Sequence, residues 1–349
     1  MLTIGVLFCD NDLDYLKELI ENIKNKVWID YELIFCDNRN NFDDDVSFLD
    51  DYKVVNKGQG NIYQLAGRKK IIEEATGSYI WFVDADDDVF PIDESFNDLL
   101  ENNYDEYVFS YIVKSEEEEN WPLCIENKLI ENDLLTPECI NTPCCLWNKW
   151  IKTTVLKEVI KYVPDSIRAS ASEDLFYTLA TLKLSNTQYQ SNKYIYTYYC
   201  LRSSSAIQDY SNYYDKFERC LFGLNEATEL IKSIITDDDL AKLELNLDEN
   251  DSCFFLKKII TTKDIETKEK MLIKLKSVLP AEALINAWIL LIDSYSMYEE
   301  DFINTDELMY KYFGDSICNV INTEYVYDDG TTETIIERER KVPSMFKTI

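Results

Sequence analysis

The chain has 349 residues, 46% of them hydrophobic with 24 Tyr and 16 Phe, enough to bury a substantial core despite a formal charge of −31. That charge, with no run of Lys and Arg, excludes a surface built for bare polyanions; the absence of His excludes Ser-His and Cys-His triads, His-ligated zinc and histidine general bases. Ten scattered Cys without Cys-x-x-Cys pairs read as reduced thiols, and no apolar stretch nears the ~20 residues of a membrane span, so the sequence reads as soluble and cytoplasmic.

The predicted elements alternate. Leu2 to Phe8 is an apolar run of strand type, and Asp10 or Asp12 is placed to cap a helix whose Leu13, Leu16, Ile20 and Ile23 recur at helical spacing. A second apolar run, Tyr31 to Cys36, ends at Asp37-Asn38-Arg39, and Val54-Val55 predicts a third, short strand. A helix from about Ile62 to Ala75 stops at Thr76-Gly77. Tyr79 to Val83 then reads as a buried parallel strand that ends in Asp84-Ala85-Asp86-Asp87-Asp88. This β-α-β-α-β order predicts an α/β fold with a mostly parallel sheet and helices on both faces. Tyr107 to Val113 predicts a further strand, and Glu116 to Glu119 an acidic hairpin tip.

From residue 209 onward the pattern becomes mainly helical, with Phe217, Leu221, Leu224, Leu230 and Ile231 and then Leu284 to Leu291. Asp237-Asp238-Asp239 reads as a helix cap or linker, and Asp329-Gly330 between β-rich flanks predicts a terminal hairpin. The predicted division is residues 1–208 and 209–349.

Four acids at one strand end repel one another unless a hard cation or cation-bearing ligand sits among them. A calcium loop of the EF-hand type needs Gly and Glu where Val89 and Ser95 stand, which rejects it. An Asp-x-Asp phosphohydrolase normally carries its motif on the first strand and has Thr or Val at the place of Asp88. Two readings remain beside it: acids that only shape a turn, and carboxylates holding a divalent ion on a nucleoside diphosphate.

The neighbouring motifs, taken in order, resemble family-two glycosyltransferases of the GT-A fold. Gly67-Arg68-Lys69, Ala75-Thr76-Gly77 and Asp84-Ala85-Asp86 are similar to that family's Ala-Arg-Asn helix, Ala-Thr-Gly turn and Asp-x-Asp strand. Cys36-Asp37-Asn38 looks like the strand end whose Asp contacts the donor base, although Arg39-Asn40 replaces the common Gly-Ser. Leu146-Trp147-Asn148-Lys149-Trp150, Glu173-Asp174 and Tyr196-Thr197-Tyr198 with Ser203-Ser204-Ser205 extend the likeness to about residue 207.

The resemblance implies a metal-dependent, inverting hexosyltransferase that uses a nucleotide-sugar donor, UDP-linked by preference. It implies Mg²⁺ or Mn²⁺ at Asp86 and Asp84, donor contacts from Asp37, Arg68, Asp84 and Asp86, and general-base chemistry at Asp174 beside Glu173. Trp147 and Lys149 are the candidates on the acceptor side. The acceptor is a saccharide, small molecule or protein rather than nucleic acid, with a modified DNA base the least favoured option. A catalytically inactive GT-A binding module and an Asp-x-Asp phosphohydrolase stand as the alternatives.

Overall fold

The computed structural model describes residues 1–10, 12–114, 120–140, 145–169, 172–199, 214–243, 245–292, 300–313, 318–326 and 332–340. The chain begins β1 (Leu2–Phe8), α1 (Leu13–Lys26), β2 (Tyr31–Asp37), β3 (Lys53–Val55), α2 (Tyr63–Glu74), β4 (Tyr79–Asp84) and β5 (Asp88–Val89). It continues through α3 (Ser95–Glu101), β6 (Glu106–Lys114), β7 (Asn120–Leu123), β8 (Lys128–Glu131), α4 (Pro137–Ile140), β9 (Lys149–Lys152), α5 (Thr153–Val159), α6 (Glu173–Leu184) and β10 (Thr187–Tyr199). After these come α7 (Tyr214–Ile234), α8 (Asp237–Lys242), α9 (Leu247–Thr261), α10 (Ile265–Val278), α11 (Ala281–Ile292), α12 (Glu300–Phe313), β11 (Cys318–Val326) and β12 (Thr332–Arg340).

The main sheet has the order β3-β2-β1-β4-β9-β6-β10-β5, with β7 on β6 and β8 on β10. Strands β3, β2, β1 and β4 run parallel, β6 and β10 are parallel to each other, and β9 and β5 enter antiparallel. The expected mostly parallel sheet is therefore present, including the short strand at Val54-Val55. The chain moves outward from β1 to β2 and β3 and then returns to the other side of β1 with β4. The strand order reverses beside β1, and in open α/β sheets ligands collect beyond the C-terminal ends of the strands at such a point.

Alternation along β1 divides the packing between two faces. Leu2, Ile4, Val6 and Phe8 share a core with Leu16, Leu19, Ile20 and Ile23 of α1 and with Trp81 of β4. On the other face α2 lies very close to β1: a Cβ on Gly67 would come within 2.1 Å of Leu7, and one on Gly5 within 2.5 Å of Ile71. Glycine at these two places is what lets the helix reach the strand.

The Thr76-Gly77 turn is held by one carboxylate. Glu32 Oε1 accepts from Thr3 Oγ1 (2.5 Å) and from the backbone N–H groups of Thr76 (2.7 Å) and Gly77 (2.9 Å), while Oε2 accepts from Thr76 Oγ1 (2.9 Å). Burial alone would raise the Glu32 pKa, but these hydrogen bonds favour the anion and the net shift is downward.

The molecule divides into two compact units, one of residues 1–208 with 222–245 and the other of residues 209–221 with 246–349. Residues 222–245 stay with the first unit through Arg168 N–H to Glu226 (2.7 Å) and Lys183 to Asp239 (2.7 Å). The Asp237 triplet is the first turn of α8, where Thr236 and Asp239 form a reciprocal capping box.

In the second unit α9, α10, α11 and α12 enclose Phe255, Leu256, Met271, Leu272, Leu284 and Trp288, and β11 pairs antiparallel with β12. The turn of that hairpin, the acidic segment 116–119, Cys144 and Ser203 to Ser205 lie outside the described residues. Among the described residues no helix is long and apolar enough to cross a membrane.

Glu32→Ala is expected to lower the unfolding free energy at pH 7 by about 1–3 kcal/mol, the range for hydrogen bonds to a charged group. Because the folded-state pKa of Glu32 lies below its unfolded value, the deficit is present above the ordinary glutamate range and shrinks as pH falls through the folded pKa. Urea unfolding of both proteins at pH 7 and pH 4 measures it.

Candidate functional site

Two chain-distant segments bring carboxylates to one buried guanidinium. The first is the end of β4, where Asp84 leaves the sheet next to the strand-order reversal. The second is the start of α6, where Glu173 and Asp174 occupy the first turn and so favour the helix dipole. Ser172 just before them adopts φ = 57°, a left-handed conformation that non-glycine residues rarely take, and its side chain makes no cap hydrogen bond.

Arg68 of α2 reaches all three acids. Its NH1 donates to Glu173 Oε1 (3.0 Å) and Asp174 Oδ1 (2.5 Å), and NH2 lies 3.5 Å from Asp84 Oδ1. The guanidinium also sits over the Phe82 ring at 5.6 Å and keeps only 7% of its side-chain surface exposed. It is a buried charge paired with protein carboxylates, not a surface helix charge.

The turn after β4 is anchored from below. Asp87 is buried and accepts from the Tyr196 hydroxyl (2.7 Å) and the Tyr199 N–H (2.8 Å), and the same hydroxyl accepts from the Asp84 N–H (3.0 Å). Trp147 stacks on Tyr196 at 4.7 Å and on Tyr198 at 5.5 Å, and its carbonyl accepts from Trp81 Nε1. Asp88 instead pairs with Lys26 through both oxygens at 2.8 Å.

One arginine does not neutralise this many acids. Burial first, and then repulsion from Asp174, Asp86 and Glu173, push Asp84 up to about 7 even with Arg68 opposing. Glu173 is pushed up to about 6 by burial and Asp174. Asp87 is raised by burial, Asp84 and Asp86. Asp12 is also pushed up to about 7, by burial together with Asp86 and Asp10. Asp12 therefore belongs to this electrostatic neighbourhood. Its side chain accepts from the Cys9 N–H (2.6 Å) instead of capping α1.

Among the described residues no three His, Cys, Asp and Glu side chains are grouped to enclose a metal ion. The excess of carboxylate over positive charge at Asp84 and Asp86 is of the kind that a hard cation shared with a ligand relieves. Mg²⁺-type sites take one or two carboxylates and complete their coordination with water and phosphate.

The remaining expected residues lie elsewhere. Asp37, at the end of β2, is fully buried and paired with Arg39 through Nε (2.9 Å) and NH2 (3.0 Å), and it also accepts the Arg39 N–H (3.2 Å). Arg39 itself sits 5.7 Å from both the Phe8 and Phe42 rings. Lys149 is not solvated: it is buried in β9, and its ammonium donates to Cys145 O (2.5 Å) and Asn148 Oδ1 (3.1 Å). Its field also opposes the burial that lifts the interior Glu106 to about 7.

Of the residues singled out from the sequence, the structure brings Arg68, Asp84, Glu173 and Asp174 together, with Asp86 in the adjoining turn. Sequence reasoning missed Asp12, taken only as a cap, and the hydroxyl of Tyr196, taken as a strand aromatic. The one signal for Asp12 was its position directly after β1, at the reversal of strand order.

Residues 4–159 match the family model described as Glycosyl transferase family 2. Among solved structures, the chain is similar to S. aureus TarS 1-349 in complex with UDP-GlcNAc, at 14% identity over 98% of this chain and 99% of that chain, with a TM-score of 0.48. It is also similar to a longer S. aureus TarS structure, at 13% identity over 95% of this chain and 60% of that chain, with a TM-score of 0.45. No curated protein sequence matches the chain significantly.

The raised Asp84 pKa has a consequence for stability. The folded state holds a proton there that the unfolded chain releases near the ordinary aspartate value, so stability falls as pH rises toward about 7. With divalent ions removed by EDTA, Asp84→Asn should melt above wild type at pH 8, and the difference should close by pH 4. Equal thermal midpoints at pH 8 would contradict the charge surplus.

Proposed function

We propose that this chain, a glycosyltransferase of the GT-A type with a glycosyl transferase family 2 domain at residues 4–159, moves a hexose from a nucleoside-diphosphate donor to an acceptor hydroxyl with inversion. One observation carries the reading. Acids from β4 and from the start of α6 converge on Arg68 beside the strand-order reversal, giving a donor-side carboxylate and a base-side carboxylate within reach of one cation.

The donor diphosphate lies beyond the C-terminal ends of β1 and β4, against Asp84 and Asp86. A divalent ion, Mg²⁺ or Mn²⁺, held by Asp86 with Asp84 would, when bound, neutralise the charge that develops on the departing diphosphate. Asp174 accepts the proton of the acceptor hydroxyl as its oxygen attacks the anomeric carbon. The bond from that carbon to the diphosphate oxygen breaks, and the nucleoside diphosphate leaves with the electron pair. Attack from the face opposite the leaving group inverts the anomeric centre. In a chain without His, a carboxylate is the natural group for this proton.

Asp37 and Arg39 form a neutral, buried pair at the end of β2, so on the nucleoside side the chain offers the exposed Phe42 ring beside Arg39 more readily than a bare carboxylate. Trp147 belongs to the floor beneath the Asp84 turn, so its part on the acceptor side is indirect. The net charge of −31 favours a saccharide, small-molecule or protein acceptor over a polyanion.

The test is nucleoside diphosphate release from UDP-glucose, UDP-N-acetylglucosamine and GDP-mannose with Mn²⁺, with and without acceptor saccharides. Asp174→Asn should keep donor binding while turnover falls by about 10²–10⁴-fold. Asp86→Ala should lose the response to Mn²⁺. Release of inorganic phosphate in place of nucleoside diphosphate, or full turnover in Asp86→Ala, would overturn the reading.

A further inference from the structure

Arg68 lies where either of two tasks is open to it: gripping the donor phosphates or holding the protein's own acids. We infer that it does the second, as a positioning residue that fixes Asp174 and Glu173 relative to Asp84 and so sets the line along which the acceptor is deprotonated. The inference rests on the transferase reading with Asp174 as base.

The guanidinium is already paired within the protein. NH1 is shared by Glu173 and Asp174, NH2 faces Asp84, and the flat face covers Phe82. A fork with five donors in one plane suits bridging several carboxylates, which a lysine ammonium does less well. Turning it outward to a diphosphate would leave Glu173, Asp174 and Asp84 without the cation they share.

The backbone beneath Arg68 is equally constrained. A Cβ at the preceding residue, Gly67, would come within 2.1 Å of Leu7, so this turn of α2 rests directly on β1. Helix α6 is tied to the start of α2 by the Tyr177 hydroxyl donating to Leu65 O (3.1 Å), and the Leu65 N–H donates to Ala169 O (3.2 Å), three residues before Ser172. Helices α2 and α6 therefore hold arginine and acids at a set separation.

Ser172 supplies an independent observation. A serine at φ = 57° without a side-chain cap bond is an unfavourable way to enter a helix. The attraction of Arg68 for the next two residues gives that conformation a cause, since it turns the first two carboxylates of α6 toward α2. The aim of Asp174 is then a property of the ion pair, not of the helix alone.

The experiment compares wild type, Arg68→Met and Arg68→Lys for donor binding by calorimetry and for nucleoside diphosphate release, with water as acceptor where no saccharide is used. Donor affinity should stay within about threefold of wild type in both variants, while kcat falls about 100-fold in Arg68→Met, the cost of misplacing a reacting group by about 1 Å. Arg68→Lys, which restores the charge without the fork, should recover part of that loss. Donor affinity weakened more than about tenfold in either variant, or kcat unchanged in both, overturns the inference. If circular dichroism shows Arg68→Met unfolded, Arg68→Lys decides alone by the same two criteria.

A wild-type chain that releases no nucleoside diphosphate from any donor would end the transferase reading instead. The link itself is then decided by urea unfolding of Arg68→Met, Asp174→Asn and the double variant. A double variant no less stable than Arg68→Met supports it, and additive losses overturn it.

Discussion

The structure turns on a shortage of positive charge at the end of β4. One buried arginine meets Asp84, Glu173 and Asp174, with Asp86, Asp87 and Asp12 close enough to be felt. Carboxylates gathered in this way destabilise a fold unless they take up protons or share a cation, and the raised pKa values at Asp12, Asp84 and Glu173 record the first response. The rest of the domain holds the cluster together. Gly5 and Gly67 press α2 onto β1, Glu32 fixes the Thr76-Gly77 turn that feeds β4, and Tyr196 anchors the Asp84 turn from β10. The strand order places the cluster where the sheet opens, beside the reversal at β1.

Much of this was legible in the chain because it is local. Strand and helix periodicity gave β1, α1, β2, β3, α2 and β4 nearly to the residue, and acids directly after an apolar run marked the strand end. Arg68 and Glu173-Asp174 stood out only through their family likeness. Their meeting across 105 and 106 positions depends on how α2 and α6 pack, which no local pattern encodes. Partner choice was hidden for the same reason. Asp37 looked available until Arg39 folded back onto it, Lys149, a candidate on the acceptor side, is buried where β9 enters between β4 and β6, and Asp12 looked like a cap until its carboxylate turned to the Cys9 N–H.

The border between the two units was blurred for a related reason. The amphipathic pattern of α7 runs without a break, so nothing in it announces that residues 222–245 belong with the first unit. What holds them there is polar and distant in sequence, a carboxylate on Arg168 and an ion pair from Lys183 to α8. In a chain this acidic, such pairings depend on a few lysines and arginines among many carboxylates, and composition alone does not say which acid each will choose.

The lack of histidine, first an argument about which chemistries were closed, also determines how the molecule exchanges protons with its solvent. Most proteins carry imidazoles whose titration dominates between pH 6 and 8. Among the described residues that window holds displaced carboxyls: Asp84 and Glu173 around Arg68, Asp12 beside Asp86, and Glu106 inside the sheet. Three of these four carboxyls stand near the end of β4, so carboxyl stretching bands that change near neutrality form an infrared signature weighted toward that end of the sheet.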